Sequence, residues 1–489
     1  MNSIYSADLG NGTFQNPLLF GNYADPSIVR DGCDYYMVHG AYSGCSMRAM
    51  LLWHSKDLIH WTPMYHIAQQ EGIFAHRTSY AWAPELVHHH DMWYLYNYGI
   101  GVGVYVMTCA DIQKGEWSAP ILFPDVVGID PGHIVDTDGK RYLCVSKNIL
   151  YPLSDDGLST TGPGIVIADN CPIDDSVDIE GMCTESPKLL YHNGYFYLTV
   201  AQGGTFGPPT SHGIFSLRSK ELKGPYERSP YNPVCHTQSR SEAWWSRGHG
   251  TLIDTPDGRW YMVYHGIAHE YPCFGRMCLL EPVEWTEDGW FTMPLGAAAG
   301  FPQPLPLQAV PCGAIDHSLF WNAPDSSILN RVTITDQTID IQCEGSTERD
   351  SMPLIYTQSY FNYEVSVHMT VSGENASGAL SLYSSKKCQY GLTWNNGKLY
   401  IHNGGRDWYT QNAVSFPDAS MYLKLRLADG VASAWYSEDG EHYRKLNYCA
   451  DVSCWCANSG TGASIQPALI AMGDGSVRFE QFTLLPCEP

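Results

Sequence analysis

Apolar and polar residues alternate with a period of two along most of this chain, and the alternating runs are short. That period marks half-buried β-strands, because successive side chains on a strand point to opposite faces. Gly, Pro, Asn and Asp separate the runs, and these are the residues that tight turns require. No heptad run and no long amphipathic helical stretch interrupts the pattern. The chain therefore reads as all-β, built from many short strands.

Five stretches repeat one pattern of turn, aromatic and apolar alternation. They are "DGCDYYMV" at 31–38, "HHDMWYLY" at 89–96, "TDGKRYLCV" at 137–145, "HNGYFYLTV" at 192–200 and "PDGRWYMVY" at 256–264. Aligned on Tyr36, Tyr94, Tyr142, Tyr197 and Tyr261, they are spaced by 58, 48, 55 and 64 residues. Strand-and-hairpin repeats near that period predict a five-bladed β-propeller, one four-stranded sheet per blade. A second motif runs in phase, 9 to 12 residues before each tyrosine: "ADP" (Asp25), "APE" (Glu85), "IDP" (Asp130), "ESP" (Glu185) and "GHG" (His249). The innermost strand of each blade lines the central channel, so residues placed alike on successive blades converge on the axis. One such acid would be an ordinary turn residue. Five polar centres in phase, four of them carboxylates, predict an acidic pocket on one face.

Composition narrows the partners. The chain has 489 residues, too many for one ordinary core. It is 44% hydrophobic and 16% charged, which describes a packed globular protein. The formal net charge of −23 repels phosphate backbones and anionic lipid. It suits a neutral partner such as an unmodified oligosaccharide, and it predicts neither nucleic-acid nor membrane binding. The stretch "MNSIYSADLGNGTFQNP" lacks a basic region followed by an apolar run, which predicts no secretion signal and a cytoplasmic location. The 16 scattered cysteines then read as reduced thiols, and "CWC" at 454–456, lacking zinc-finger spacing, reads as structural. The triplet His88-His89-His90 reads as a solvated turn, since neighbouring residues there point in different directions.

The ordered set "NYADPSIVRDGCDYYMV", "WAPEL", "GIDPGHIVDTDGKRYL", "TESPKLLYHNGYFYL" and "RGHGTLIDTPDGRWYMVYHG" resembles glycoside hydrolase family 43 across most of residues 16–300. The resemblance implies a five-bladed propeller that cleaves xylosides or arabinosides with inversion. It implies Asp25 as general base, Asp130 as the residue that orients and tunes the acid, and Glu185 as general acid. That trio is chemically coherent. An inverting hydrolase needs one protonated carboxyl for the leaving oxygen and one ionised carboxylate for water on the opposite face, roughly 6.5–9.5 Å apart. A third carboxylate near Glu185 raises its pKa by like-charge repulsion. Glu85 reads as structural.

The supporting residues follow from the same comparison. His249 is expected beside a central water or a structural calcium ion, although calcium prefers oxygen ligands and no cofactor is required for the chemistry. Trp82 offers an apolar wall for a sugar ring. In "CFGRMCLLEPVEW", Arg276 resembles the substrate-binding arginine of family β-xylosidases. The loops "QGGTFG" at 202–207 and "SEAWWSRG" at 241–248 are expected at the rim, with Trp244 and Arg247 as further substrate contacts.

Beyond a Gly/Pro/Ala-rich linker at 301–314 the blade motif stops. Residues 1–300 form the expected propeller and 315–489 a second unit. There "FNYEVSVHMTV", "GALSLYSSKKCQYGLTW", "MYLKLRLADGVASAWYSEDGEHYRKL" and "SVRFEQFTLL" have β-sandwich patterning. This half resembles the concanavalin-A-like sandwich of some family 43 enzymes, where it closes one side of the pocket or aids assembly into oligomers. A free-standing sugar-binding module is the other reading. For the whole chain the expectation is an exo-β-xylosidase acting on short xylo-oligosaccharides. An α-L-arabinofuranosidase or other furanosidase, and a non-catalytic sugar-binding propeller, remain alternatives. A fructan hydrolase is disfavoured because "YADPSIV" departs from an "NDPNG"-like motif.

Overall fold

A computed structural model describes residues 4–40, 48–69, 81–357, 359–404, 413–455 and 464–489. Five antiparallel sheets succeed one another along the first part of the chain. The first is built from Ser27–Asp31, Asp34–Val38, Arg48–Ser55 and Thr62–Gln69. The next three open with Glu85–His89, Gly132–Val135 and Thr184–His192, and the fifth with Trp244–Asp254. Each sheet runs outward from that opening strand in chain order, as a propeller blade must. The fourth carries one extra strand, Cys235–His236.

The aligned tyrosines explain how the blades hold together. Each sits in the second strand of its blade and is buried, from Tyr197 at 1% exposed to Tyr94 at 7%. They fill the spaces between blades. Tyr36 meets Trp93 of the next blade edge-on at 5.1 Å, and Tyr94 and Tyr96 pack with Leu143 and Val145 of the third. The ring closes where the fifth blade returns to the first. Arg30 grips Asp254 through two hydrogen bonds of 2.9 and 2.6 Å, and Thr251 donates to the Pro26 carbonyl at 3.0 Å. The strand Gln303–Pro304, inside the expected linker, pairs with Thr13–Phe14. Farther along that stretch the Val310 amide donates to buried Asp57, so these residues lie on the propeller surface.

Two seven-stranded sheets follow, with Tyr363–Ser372 and Ser420–Ala428 central in one, and Gln466–Met472 and Ser377–Ser385 in the other. Tyr363–Ser372 alternates buried and half-buried residues almost without a break, which is the one-faced burial of a sandwich strand. This sandwich packs on the propeller through Phe361, which meets Phe20 at 4.9 Å and Tyr271 at 4.7 Å. The Ile465 amide donates to the Cys273 carbonyl at 2.9 Å. The sandwich thereby braces the turn Pro272–Phe274, which leads directly into Arg276.

Among the described residues the helical elements are short 3-10 turns, and no helix is long and apolar enough to cross a membrane. The fourteen described cysteines are all free; Cys456 of "CWC" lies outside the described residues. His88 and His89 end a strand and His90 turns with φ 54°. His88 pairs with Trp93 across the strands and stacks on its ring at 4.2 Å, so only His90 lies in the expected turn.

Glu85 and Lys188 tie the hub. The Lys188 ammonium bonds the Glu85 carboxylate and the carbonyl of Pro84 at 3.2 Å. Glu85 also accepts from the Ser27 hydroxyl at 3.2 Å and the His133 amide at 3.4 Å. One ion pair thus joins four blades, and its side chains are only 12% and 6% exposed. Removing one partner of such a pair strands a buried charge, at a cost of about 3–5 kcal/mol, whereas replacing both costs far less. Lys188→Met should lower unfolding stability by about that amount in a denaturant titration, and Glu85→Gln in the same chain should recover most of it. A single variant as stable as the parent would show that the pair is not a structural tie.

Candidate active site

The axis is crowded, and the crowding positions the acids. Asp25, Asp130 and His249 adopt left-handed backbone with φ of 57°, 56° and 59°, and Ser186 does so at 53°. Non-glycine residues rarely hold that conformation unless their surroundings enforce it. Two glycines permit the close approach. A Cβ on Gly132 would lie 1.8 Å from the Pro187 carbonyl oxygen, and one on Gly248 would lie 1.8 Å from the His212 ring. The glycines flanking His249 therefore make room for packed side chains, and Gly132 makes room for backbone.

Asp25, Asp130 and Glu185 line a single cavity of about 180 Å³ together with Trp82, His249 and Arg276. Asp25 and Asp130 are buried, and Glu185 is the least enclosed of the three. Asp130, Glu185 and His249 bring one polar atom each within 4.8 Å of one another.

Asp25 is surrounded by donors. Its Oδ1 accepts from the Arg276 guanidinium at 2.9 Å and lies 2.9 Å from His265 Nδ1 and 3.2 Å from His249 Nδ1. The Thr205 hydroxyl lies 3.4 Å from His265 Nε2, and the Asp25 amide donates to His265 Nδ1 at 3.3 Å. Burial alone would raise the Asp25 pKa, but Arg276 and the two imidazoles outweigh it and hold the carboxyl well below the ordinary range. Burial keeps both imidazoles neutral, taking His249 down to about 3. They therefore contact Asp25 as uncharged rings, and Arg276 supplies the charge.

Glu185 and Asp130 shift the other way. Burial first, then the Asp25 charge, pushes Glu185 up to about 7 against the pull of Arg276. Burial also raises Asp130 well above its ordinary value, with the charges of Glu185 and Asp25 adding to it. The like-charge repulsion on Glu185 thus comes from Asp25 and Glu180 instead of the expected Asp130, and it ranks behind desolvation. Asp130 accepts a hydrogen bond from the Ser186 amide at 3.3 Å, which fixes the backbone next to Glu185.

The remaining expected residues divide. Trp82 lies on the cavity wall, beside Tyr98 at 5.5 Å. Gly204, Thr205 and Phe206 of the 202–207 loop also line it, and Glu180 holds that loop by accepting the Phe206 amide at 2.8 Å. Arg276 is a buried partner of Asp25 rather than a surface ion pair. Trp244 and Arg247 are corrections. Trp244 belongs to the hydrophobic core at 5% exposed, and Arg247 turns away from the cavity to Glu242 at 3.0 Å and the Gly296 carbonyl at 2.8 Å. Two register shifts in Trp244–Asp254, on either side of Gly248, change which side chains face the axis. Residues 244–248, expected in a loop at the rim, lie instead in this inner strand.

His265, Lys188 and Glu180 were not anticipated. His265 lies in a second strand, Trp260–Ala268, where the repeat gave no polar signal. Lys188 stands three residues after Glu185 in "ESPK", and a lysine in an otherwise apolar inner strand was the available clue. His249 Nε2 is buried with no hydrogen-bond partner among the described residues. It fits a water, or a cation held through water. One imidazole is a poor direct anchor for calcium, which takes six to eight oxygens.

Comparison with known proteins agrees with this geometry. Over 276 residues the chain is 32% identical to a xylan 1,3-beta-xylosidase of a Vibrio species, covering 52% of this chain and 49% of that one. Over 304 residues it is 31% identical to a non-reducing end alpha-L-arabinofuranosidase of Bacteroides ovatus, covering 58% and 54%. The matched part thus spans about half the length of these curated relatives. A GH43 protein of Bacillus licheniformis shares the fold with a TM-score of 0.82 at 23% identity, covering 97% of this chain and all of that one. The family model for glycosyl hydrolases family 43 matches residues 14–291, which takes in all five blades and every residue of the cavity. The chain belongs to glycosyl hydrolases family 43.

Proposed function

We propose that the chain releases terminal xylose from short, neutral β-xylo-oligosaccharides, with inversion at the anomeric carbon. One observation carries this reading: a single small cavity holds a carboxylate kept ionised, Asp25, and a carboxyl kept protonated near neutral pH, Glu185. Water gives one proton to Asp25 as its oxygen bonds the anomeric carbon. Glu185 passes its own proton to the departing glycosidic oxygen as the C–O bond breaks. Asp130 is a positioning residue, acting through the Ser186 amide. Arg276, within the cavity, also has donors suited to paired sugar hydroxyls, and Trp82 suits the apolar face of the ring.

The cavity's size supports removal of one unit at a time. The arabinofuranosidase relative supports a second reading, with an α-L-arabinofuranosyl unit in the same cavity, and a panel of nitrophenyl glycosides separates the two. A sugar-binding protein without catalysis would have no use for opposed pKa shifts on two carboxyls facing one cavity. The carboxyl chemistry itself needs no metal. An ion at His249 would be held through water, leaving Glu185 its proton.

Glu185→Gln should lower kcat on xylobiose by about 10²- to 10⁴-fold, and by clearly less on nitrophenyl xyloside, whose leaving group needs little protonation. Equal losses on both substrates would exclude Glu185 as the acid. The pH dependence has a definite sign. Glu185 acts protonated with its pKa raised to about 7, so kcat/KM should fall as pH rises through about 7. Asp25 acts ionised with its pKa depressed, so no loss should occur on acidification until below the ordinary carboxylate range near 4. A profile rising through pH 7 would contradict the assignment. Exhaustive chelation should change kcat by less than about twofold, and a loss beyond about tenfold that calcium restores would place a metal in the reaction.

A further inference from the structure

A second and larger concavity adjoins the catalytic cavity. It measures about 710 Å³, about four times the smaller one, and lies between the third and fourth blades. The two share Ile129, Cys183 and Glu185 as lining residues. Glu185 therefore faces the small cavity on one side and the larger groove on the other. The groove wall beyond Glu185 has a mixed surface. Val166 and Met182 are 65% and 55% exposed, and exposed Lys147, Asp169 and Asn170 stand among them.

The groove is built and not merely left over. Its wall turns at Lys147 and Asn148, two consecutive non-glycine residues in left-handed backbone with φ of 63° and 56°. Such a pair is strained and persists only where the surroundings enforce it. Asn148 does so: its side-chain amide donates to the Ala168 carbonyl at 3.1 Å, and its backbone carbonyl accepts from Ile167 at 3.0 Å. The turn is thereby locked to the segment carrying Val166 and Asp169, and Lys147 is presented to the groove.

We propose that this groove binds the leaving-group side of the substrate, a neutral chain of two or more sugar units, and that Lys147 and Met182 set the preference for chain length. This rests on the hydrolase reading and deepens it. A general acid must reach the glycosidic oxygen that joins the released sugar to the leaving group, so with the sugar in the catalytic cavity the leaving group lies on the far side of Glu185. That side is the groove. If one ring fills the smaller space, the larger one takes more than one. Apolar Val166 and Met182 suit the C–H faces of sugar rings, and Lys147, Asp169 and Asn170 suit their hydroxyl edges.

Two measurements test this. In Glu185→Gln protein, acetylation of Lys147 by an amine-reactive reagent is followed by mass spectrometry. Saturating xylotetraose should slow it at least about tenfold, and xylose should slow it much less; equal rates with and without xylotetraose would overturn the proposal whatever the protein hydrolyses. In otherwise unmodified protein, Lys147→Ala and Met182→Ala should each lower the ratio of kcat/KM on xylotetraose to that on methyl β-xyloside by about tenfold. A ratio within about twofold of the parent's would remove these residues from chain recognition. If the parent protein cleaves neither xyloside, it is the glycone reading that fails, and footprinting with an arabino-oligosaccharide in place of xylotetraose decides the groove.

Discussion

The bond between Arg276 and Asp25 is the constraint on which the rest of the site depends. A carboxylate as buried as Asp25 would by desolvation alone hold its proton and be useless for taking one from water. The guanidinium at 2.9 Å reverses that balance. The same ionised Asp25 then acts across the cavity, where its charge helps to keep Glu185 protonated. The buried cation therefore keeps Asp25 ionised, while burial and the Asp25 charge keep Glu185 protonated against the cation's own pull, so the two carboxyls are not tuned independently.

Distant parts of the chain converge on that bond. Asp25 precedes the first blade and Arg276 begins the third strand of the fifth, so the ring must close for them to meet. Asn22 accepts the Arg276 amide at 3.0 Å, which links the two segments through the backbone as well. The sandwich braces both, through Phe361 against Phe20 on one side and against the Tyr271–Phe274 turn on the other. The second half of the chain thus contributes to the geometry of a site that none of its described residues lines. Glu85 and Lys188 play the corresponding part beneath the carboxyls, and the charge of Lys188 partly offsets the rise in Asp130.

Much of this was legible in the sequence because a propeller repeats. Tyr36, Tyr94, Tyr142, Tyr197 and Tyr261 mark equivalent positions between blades, and the polar motif ahead of each marks the axis. Asp25, Asp130, Glu185 and His249 followed from that phase alone, before any family resemblance was drawn. Sequence reasoning failed where a strand was read as a loop. Residues 244–248 begin the inner strand Trp244–Asp254, with Trp244 in the core and Arg247 bonded to Glu242. His265 escaped notice because it reaches the axis from a second strand, where one histidine among apolar residues looks like core. The groove was illegible altogether, since its walls belong to loops with no repeat to align.

The central claim is that Asp25 activates water on one face of the sugar while Glu185 protonates the oxygen on the other. Proton NMR of the first product formed from a β-xyloside, recorded before mutarotation, tests this most directly. The account predicts α-xylose first, with the β-anomer appearing only as the product equilibrates. β-Xylose as the initial product would mean a covalent intermediate and two displacements, and would contradict the roles assigned to Asp25 and Glu185.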